Sequence, residues 1–96
     1  MRDWQEMPGG DLVRQGLLDL EEGRETSAAF LVAIGAPRLR QLGIEVPILA
    51  EPEHRLYDML EGEDPSSAHS RYNALIRRLV SFERALECES ERAASE

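Results

Sequence analysis

The residues best suited to bind a metal ion are His54 and Asp58, which stand four apart in a segment with helical periodicity. Side chains at this spacing share one helix face, where Glu51 or Glu61 would supply a third ligand. Recognisable metal sites show denser ligand spacing, however, and one histidine in an acidic helix often arises by chance. We therefore interpret this face as solvated and expect no metal site.

The other candidates for chemistry are His69 and Cys88. His69 could act as a general base, with Tyr72 and Asn73 close to it in the sequence. A lone histidine beside an apolar stripe is more often a capping or packing residue. Cys88 falls on the polar face of the last predicted helix, and no nucleophile signature surrounds it. These observations predict neither a catalytic residue nor a cofactor, and they make an enzyme the less favoured class.

Arg38 and Arg40 follow a Gly-Ala-Pro turn that separates two predicted helices. A DNA-reading helix-turn-helix has this order of elements, but its recognition helix is longer than the segment 37–43 allows. Arg38 would lie near the positive end of the short second helix, where a cation is unfavourable unless a carboxylate or an anion meets it. Arg38 is therefore one candidate anion-binding residue.

A basic island in residues 65–84 supplies the remaining candidates. This stretch carries four arginines and one carboxylate, whereas the whole chain has a formal net charge of −8. One interpretation is that the arginines balance the surplus carboxylates of the other helices by surface pairing, which needs no special geometry. The alternative is that they recognise an anionic partner. The four are Arg71, Arg77, Arg78 and Arg84.

The pattern of apolar residues, caps and breakers predicts an all-α fold. We expect one domain over residues 1–96: a small bundle of four main helices and one short helix, with both ends, 1–10 and 90–96, mobile. An arm at 44–49 alternates as an extended segment does, with Ile44, Val46 and Ile48 on one side. The predicted helices cover 11–23, 28–34, 37–42, 52–62 and 65–89.

Three local signals define helix boundaries. Thr26 should cap the second helix, which is apolar around most of its circumference and so supplies the middle of the core. Gly35 should end it in a left-handed conformation, and Asp64 should cap the last helix ahead of Pro65. The expected core residues on the second helix are Ala28, Leu31, Val32 and Ile34.

Composition limits the cellular setting and the partners. Cys88 is the only cysteine among 96 residues, so no disulfide forms within the chain and a reducing compartment fits best. The longest uncharged stretch, 26–37, is too short to span a bilayer, and Asp3 and Glu6 stand where a signal peptide would need an apolar run, so we expect neither feature. Net acidity argues against nucleic acid and anionic membranes. We expect a cytoplasmic protein.

The last helix carries a long apolar seam whose residues alternate at spacings of three and four, as in helices packed along their length. This helix should extend beyond the ends of the helices packed against it, so Phe82 and Leu86 would face water in a monomer. This predicts a homodimer; the alternative is that the arm covers these residues within one chain. The predicted interface is Tyr72, Leu75, Leu79, Phe82 and Leu86.

The function that these features favour is a small cytoplasmic helical protein-interaction module that associates with itself or with another protein. The alternative is a regulator that binds an anionic partner, nucleic acid or a phosphorylated ligand, through the arginine island. Ionic strength separates the two expectations, because affinity for an anion falls steeply with added salt and affinity through an apolar face does not.

Overall fold

Five α-helices account for most of the chain in the computed structural model, which describes residues 4–95 and the side chains of residues 4–92. The expected all-α fold of four main helices and one short helix is confirmed. A 3-10 turn at Trp4–Glu6 precedes α1 (Gly10–Glu21), α2 (Ser27–Ile34), the short α3 (Ala36–Gln41), α4 (Pro52–Glu63) and α5 (Ala68–Ser95). The arm 44–49 joins α3 to α4 and has no regular secondary structure.

The apolar helix α2 lies at the centre of the packing and contacts all four other helices. The predicted cap is confirmed, since Thr26 Oγ1 accepts a hydrogen bond of 3.1 Å from the amide of Ala29. Every residue of the segment 28–33 is buried. Ile34, the last residue predicted for the core, is partly exposed and packs at the edge of an apolar cluster.

Two glycines let helices approach more closely than any side chain would allow. A Cβ atom on Gly16 of α1 would lie 2.4 Å from the carbonyl oxygen of Ala28 and from Val32 Cγ2. Gly35 was expected in a left-handed conformation, but its φ is −81°, so that prediction is wrong. The physical reason for glycine there is contact with α5, because a Cβ atom would lie 2.9 Å from Leu79 Cδ1.

The core consists of two apolar clusters on either side of α2. The first joins the N-terminal segment, α1, α3 and the arm to the second half of α5. The second joins α2 and α4 to the first half of α5. The buried residues of the first cluster are Met7, Val13, Val32, Ala36, Leu39, Val46, Phe82 and Leu86, and those of the second are Phe30, Leu31, Leu56, Leu60, Ala68 and Leu79.

The ends of α5 differ from the sequence prediction. The helix starts at Ala68 and not at Pro65, because the Asp64 carboxylate accepts hydrogen bonds from Ser66 and Ser67 within a turn. It continues to Ser95, beyond the end predicted near Glu89, and residue 96 lies outside the described residues. At 1.5 Å per residue its 28 residues span about 42 Å, close to the 48 Å long axis of the molecule.

The N-terminal segment, expected to be mobile, packs on α5 over its described part, residues 4–10. Trp4 meets Phe82 edge to face with ring centroids 5.6 Å apart, and Met7 is buried in the first cluster. Residues 1–3 lie outside the described residues. The segment therefore contributes to the core beside the second half of α5.

Replacing Leu31 by alanine should lower the free energy of unfolding by about 2 to 5 kcal/mol, because the side chain is fully buried on α2. Chemical denaturation measures this loss. The matched control is Leu18→Ala on α1, where the leucine is partly exposed and the change should be much smaller. A loss at Leu31 no larger than at Leu18 would show that α2 is not the central helix.

Candidate functional site

The arm is fixed to the rest of the molecule mainly by apolar side chains that pack in the core and by hydrogen bonds from Arg40. Arg40 Nε and Nη2 donate hydrogen bonds of 3.2 and 2.7 Å to the carbonyl oxygen of Val46. The amide of Ile44 donates to the carbonyl oxygen of Leu39. Ile44 and Val46 face the first apolar cluster, and Leu49 packs against the second. The arm thus crosses from one cluster to the other.

Ile48 is the most exposed large apolar side chain among the described residues. Its exposed fraction is 90%, against 37% for Leu18, the other exposed one. The prediction that Ile48 shares a side with Ile44 and Val46 is wrong, because Leu49 occupies the inward position and turns Ile48 to solvent. A side chain this exposed contributes little to the monomer's packing, and it is a candidate contact residue where it adjoins further apolar surface.

Three open grooves border the arm. One of 660 Å³ lies between Glu21 and residues 43–47. Ile48 lines the other two: a groove of 200 Å³ shared with Ala29 and Phe30 of α2, and one of 340 Å³ shared with Ala33 and Ile34. Both grooves beside Ile48 therefore have apolar walls supplied by the central helix, and a partner side chain could enter either.

The junction between the arm and α4 is conformationally strained. Glu51 has φ 51° and ψ 49°, a left-handed conformation that non-glycine residues rarely adopt, and it precedes Pro52 at the start of α4. Holding a residue in this conformation costs the folded state about 1 to 3 kcal/mol, and such residues often occur near functional surfaces. Glu51 therefore adds a second unusual feature to the stretch that contains Ile48.

The seam predicted to form a dimer interface is mostly buried within one chain. Phe82 and Leu86 have exposed fractions of 0% and 1%, so the premise that they face water in a monomer is wrong. Trp4 and Met7 of the N-terminal segment, together with Val46 of the arm, belong to the cluster that covers them. The other three predicted interface residues all pack in the second cluster, Leu79 buried and Tyr72 and Leu75 partly buried. The homodimer stays a prediction, but the apolar seam of α5 is no longer its expected interface.

Tyr72 does not lie in a catalytic arrangement with His69. Its ring packs against that of Tyr57 with centroids 5.7 Å apart, and burial raises the pKa of the Tyr72 hydroxyl. His69 Nε2 is 3.2 Å from Asn73 Nδ2, and both groups are on the surface. The geometry fits a surface histidine bonded to its helical neighbour.

The remaining histidine and the cysteine are also on the surface. His54 Nε2 lies 3.1 Å from Asp58 Oδ2 with both side chains exposed, and Cys88 is exposed and free. Within the described residues, no group of three or more His, Cys, Asp or Glu side chains is placed to hold a metal ion. His54 and Asp58 form an exposed pair along one helix face.

The five candidate anion-binding arginines are not brought together. Arg38 pairs with Glu87 of α5 at 2.5 Å, which supplies the carboxylate that its position near the start of α3 requires. Hydrogen bonding to Arg38 in turn lowers the pKa of Glu87. Arg71 pairs with Glu63 at 2.8 Å, and Arg78 lies 3.6 Å from Asp11. At 100° per residue, Glu87 lies on the flank of α5 opposite Arg78, so Arg38 is separated from Arg71 and Arg78, and Arg84 is the member of the island nearest to it, about one turn before Glu87.

Arg77 and Arg84 make no ion pair with any residue that the structure describes. Arg77 lines a groove of 240 Å³ with Pro8, Gly9 and Ser81, and Arg84 borders none of the main grooves. Arg77 and Arg84 are therefore the two exposed arginines of the island without an ion pair among the described residues.

Sequence reasoning overlooked the buried carboxylate of Asp19, which is only 3% exposed. Thr26 Oγ1 donates to Asp19 Oδ2 at 2.6 Å, and Gln15 Nε2 and Arg24 Nε each donate to Oδ1 at 2.9 Å. A buried carboxylate can serve as a catalytic acid, but here its oxygens are satisfied by the α1–α2 connection itself. Its role is structural. In the sequence, this role is indicated by spacing: Asp19 lies one helical turn after Gln15 and seven residues before the helix cap Thr26.

No protein-family model, curated protein or solved structure matches this chain. Among the described residues, no helix combines the length and the apolar character needed to cross a bilayer.

The stability of the fold should depend on pH through Asp19. Hydrogen bonds from Thr26, with smaller ones from Gln15 and Arg24, hold the pKa of the Asp19 carboxyl below its usual value, although burial opposes them. Because the folded pKa is lower than the unfolded value of about 3.9, the carboxylate stabilises the fold above that pH. This stabilisation is lost as pH falls through the folded pKa.

Asp19→Asn should therefore be less stable than the wild type near neutral pH, and the difference should shrink between about pH 5 and pH 2. Urea denaturation across this range measures both curves. Glu61→Gln, which removes an exposed carboxylate from α4, serves as the control and should follow the wild type. A difference between Asp19→Asn and wild type that stays constant with pH would contradict this role.

Proposed function

We propose that this acidic chain is a small cytoplasmic protein-interaction module that binds a polypeptide, either another protein or a second copy of itself, through the arm surface. The arm surface consists of residues 44–51 and the two grooves that Ile48 borders. The observation that carries the proposal is the 90% exposure of Ile48 between two grooves with apolar walls.

Burial of the α5 seam strengthens the choice of this surface. Ile48 is far more exposed than Leu18, the other exposed large apolar residue among those described, and it borders apolar groove walls where a singly exposed residue would not. Contact with a partner would remove Ile48 from water and gain roughly 1.5 to 3 kcal/mol from that side chain alone.

A second candidate function is recognition of an anionic partner through Arg77 and Arg84, which have no carboxylate partner among the described residues. These arginines lie on the outer face of α5, and the first cluster contains Val46 on its inner face. The two candidate surfaces are therefore distinct and can be altered independently.

Ile48→Glu should abolish capture of the partner from a lysate of the source cells, since it places a charge where an apolar contact is proposed. Its free energy of unfolding should stay within about 0.5 kcal/mol of the wild type because the side chain is exposed. The matched control is Leu18→Glu, which changes net charge equally on α1 and should capture as the wild type does. Mass spectrometry identifies the retained proteins.

The double variant Arg77→Gln with Arg84→Gln, tested in the same experiment, separates the second candidate. If the arm surface is the binding site, this variant should retain the partner within a few fold. Loss of the partner in the arginine variant, with retention in Ile48→Glu, would replace the first function by the second.

A further inference from the structure

The arm surface is acidic as well as apolar. Four exposed glutamates surround it without an ion pair to any residue within the described part of the chain: Glu21, Glu45, Glu51 and Glu53. Glu21 and Glu45 line the groove beside Val46 and Pro47, and Glu53 lines one of the grooves beside Ile48. Carboxylates therefore lie on both sides of the exposed isoleucine.

The cations near the arm do not balance these carboxylates. Arg24 pairs with Asp19 and with Glu22, and Arg55 pairs with Glu25 at 3.0 Å. Arg40 is held by the carbonyl oxygen of Val46, so it contributes a single uncompensated positive charge. The surroundings of Ile48 keep a net negative charge that a cationic partner would complement.

The main chain of the arm is open along most of its length. Within residues 4–95, no backbone hydrogen bond is made by Glu45, Ile48, Leu49 or Ala50. Extended peptides that bind along an open segment gain main-chain hydrogen bonds, and their alternate side chains enter pockets on either side. Here the grooves beside Ile48 are placed to receive such side chains.

We infer that the partner recognised at the arm surface is a cationic polypeptide segment, bound in an extended conformation, with arginine or lysine beside an apolar residue. This inference rests on the proposed function and specifies the partner's chemistry. The apolar side chain would contact Ile48 while the cations meet Glu45 and Glu53. A second copy of the chain is the weaker occupant, because pairing two arms would bring their unpaired glutamates together.

The probe that tests this is a short fluorescein-labelled peptide in which arginine alternates with valine, and fluorescence anisotropy measures its binding. Glu45→Gln with Glu53→Gln should weaken binding by about tenfold or more, since both carboxylates face the proposed site. The matched control is Glu6→Gln with Glu61→Gln, which changes net charge equally at exposed positions that border none of the three grooves. The affinity of this control variant for the peptide should stay close to that of the wild type.

Two further peptides test the remaining parts of the inference. Replacing every arginine by glutamate should abolish binding, and methylating alternate backbone nitrogens should weaken it, because extended pairing needs those donors. Equal weakening in both double variants would show only general attraction to an acidic protein and would overturn the inference, as would binding of the glutamate peptide or unchanged binding of the methylated one.

The inference and the proposed function can fail separately. If Ile48→Glu abolishes capture of the cellular partner but the arginine–valine peptide does not bind, the arm surface is the interaction site and the cationic partner is wrong. If light scattering shows a wild-type dimer that Ile48→Glu dissociates, the occupant is a second copy, which also overturns the cationic partner. If Ile48→Glu captures the partner normally, both proposals fail.

Discussion

The close contact of α1 with α2 at Gly16 is the constraint on which the rest of the structure depends. Because a Cβ atom there would lie 2.4 Å from a carbonyl oxygen of α2, only glycine lets the two helices meet at this distance. That spacing brings Asp19 within reach of Thr26, which caps α2, and so joins the end of one helix to the start of the next. The segment before α1 packs on Phe82 of α5 through Trp4.

The covering of α5 by distant parts of the chain determines which surface is left for a partner. The N-terminal segment and the arm both contribute buried residues to the cluster around Phe82 and Leu86. With that seam closed, α5 needs no second chain to bury it. The arm is anchored at Val46 and Leu49, and Ile48 between these points is left in solvent. Ile48 is therefore exposed because its neighbours in the arm, Val46 and Leu49, pack in the core.

The electrostatics of the two candidate surfaces change what salt dependence would mean. The sequence suggested that steep salt dependence would indicate the arginine island. The structure places unpaired glutamates around the arm, so a cationic partner bound there would also be released by salt. Only variants at each surface separate the two, since Arg77 and Arg84 lie on the outer face of α5, away from the arm.

Local features of the fold could be predicted from the sequence, and contacts between distant segments could not. The Thr26 cap and the apolar helix after it depend on neighbouring residues, and both are confirmed. The covering of Phe82 depends on Trp4, which is far away in the sequence, so no periodicity indicates it. For the same reason alternation along the arm placed Ile48 inward, whereas packing of Leu49 against the second cluster turns it out.

The most direct test of the account is amide hydrogen exchange of Glu45, Val46, Ile48, Leu49 and Ala50, because it measures whether the main chain of the arm is free to pair with a partner. In the free protein these amides should exchange rapidly, as they have no hydrogen-bond acceptors among the described residues, while amides of α2 stay protected. Adding the arginine–valine peptide should slow exchange in the arm and leave α5 unchanged. Strong protection of the arm in the free protein, or new protection confined to α5 when the peptide is added, would contradict the account.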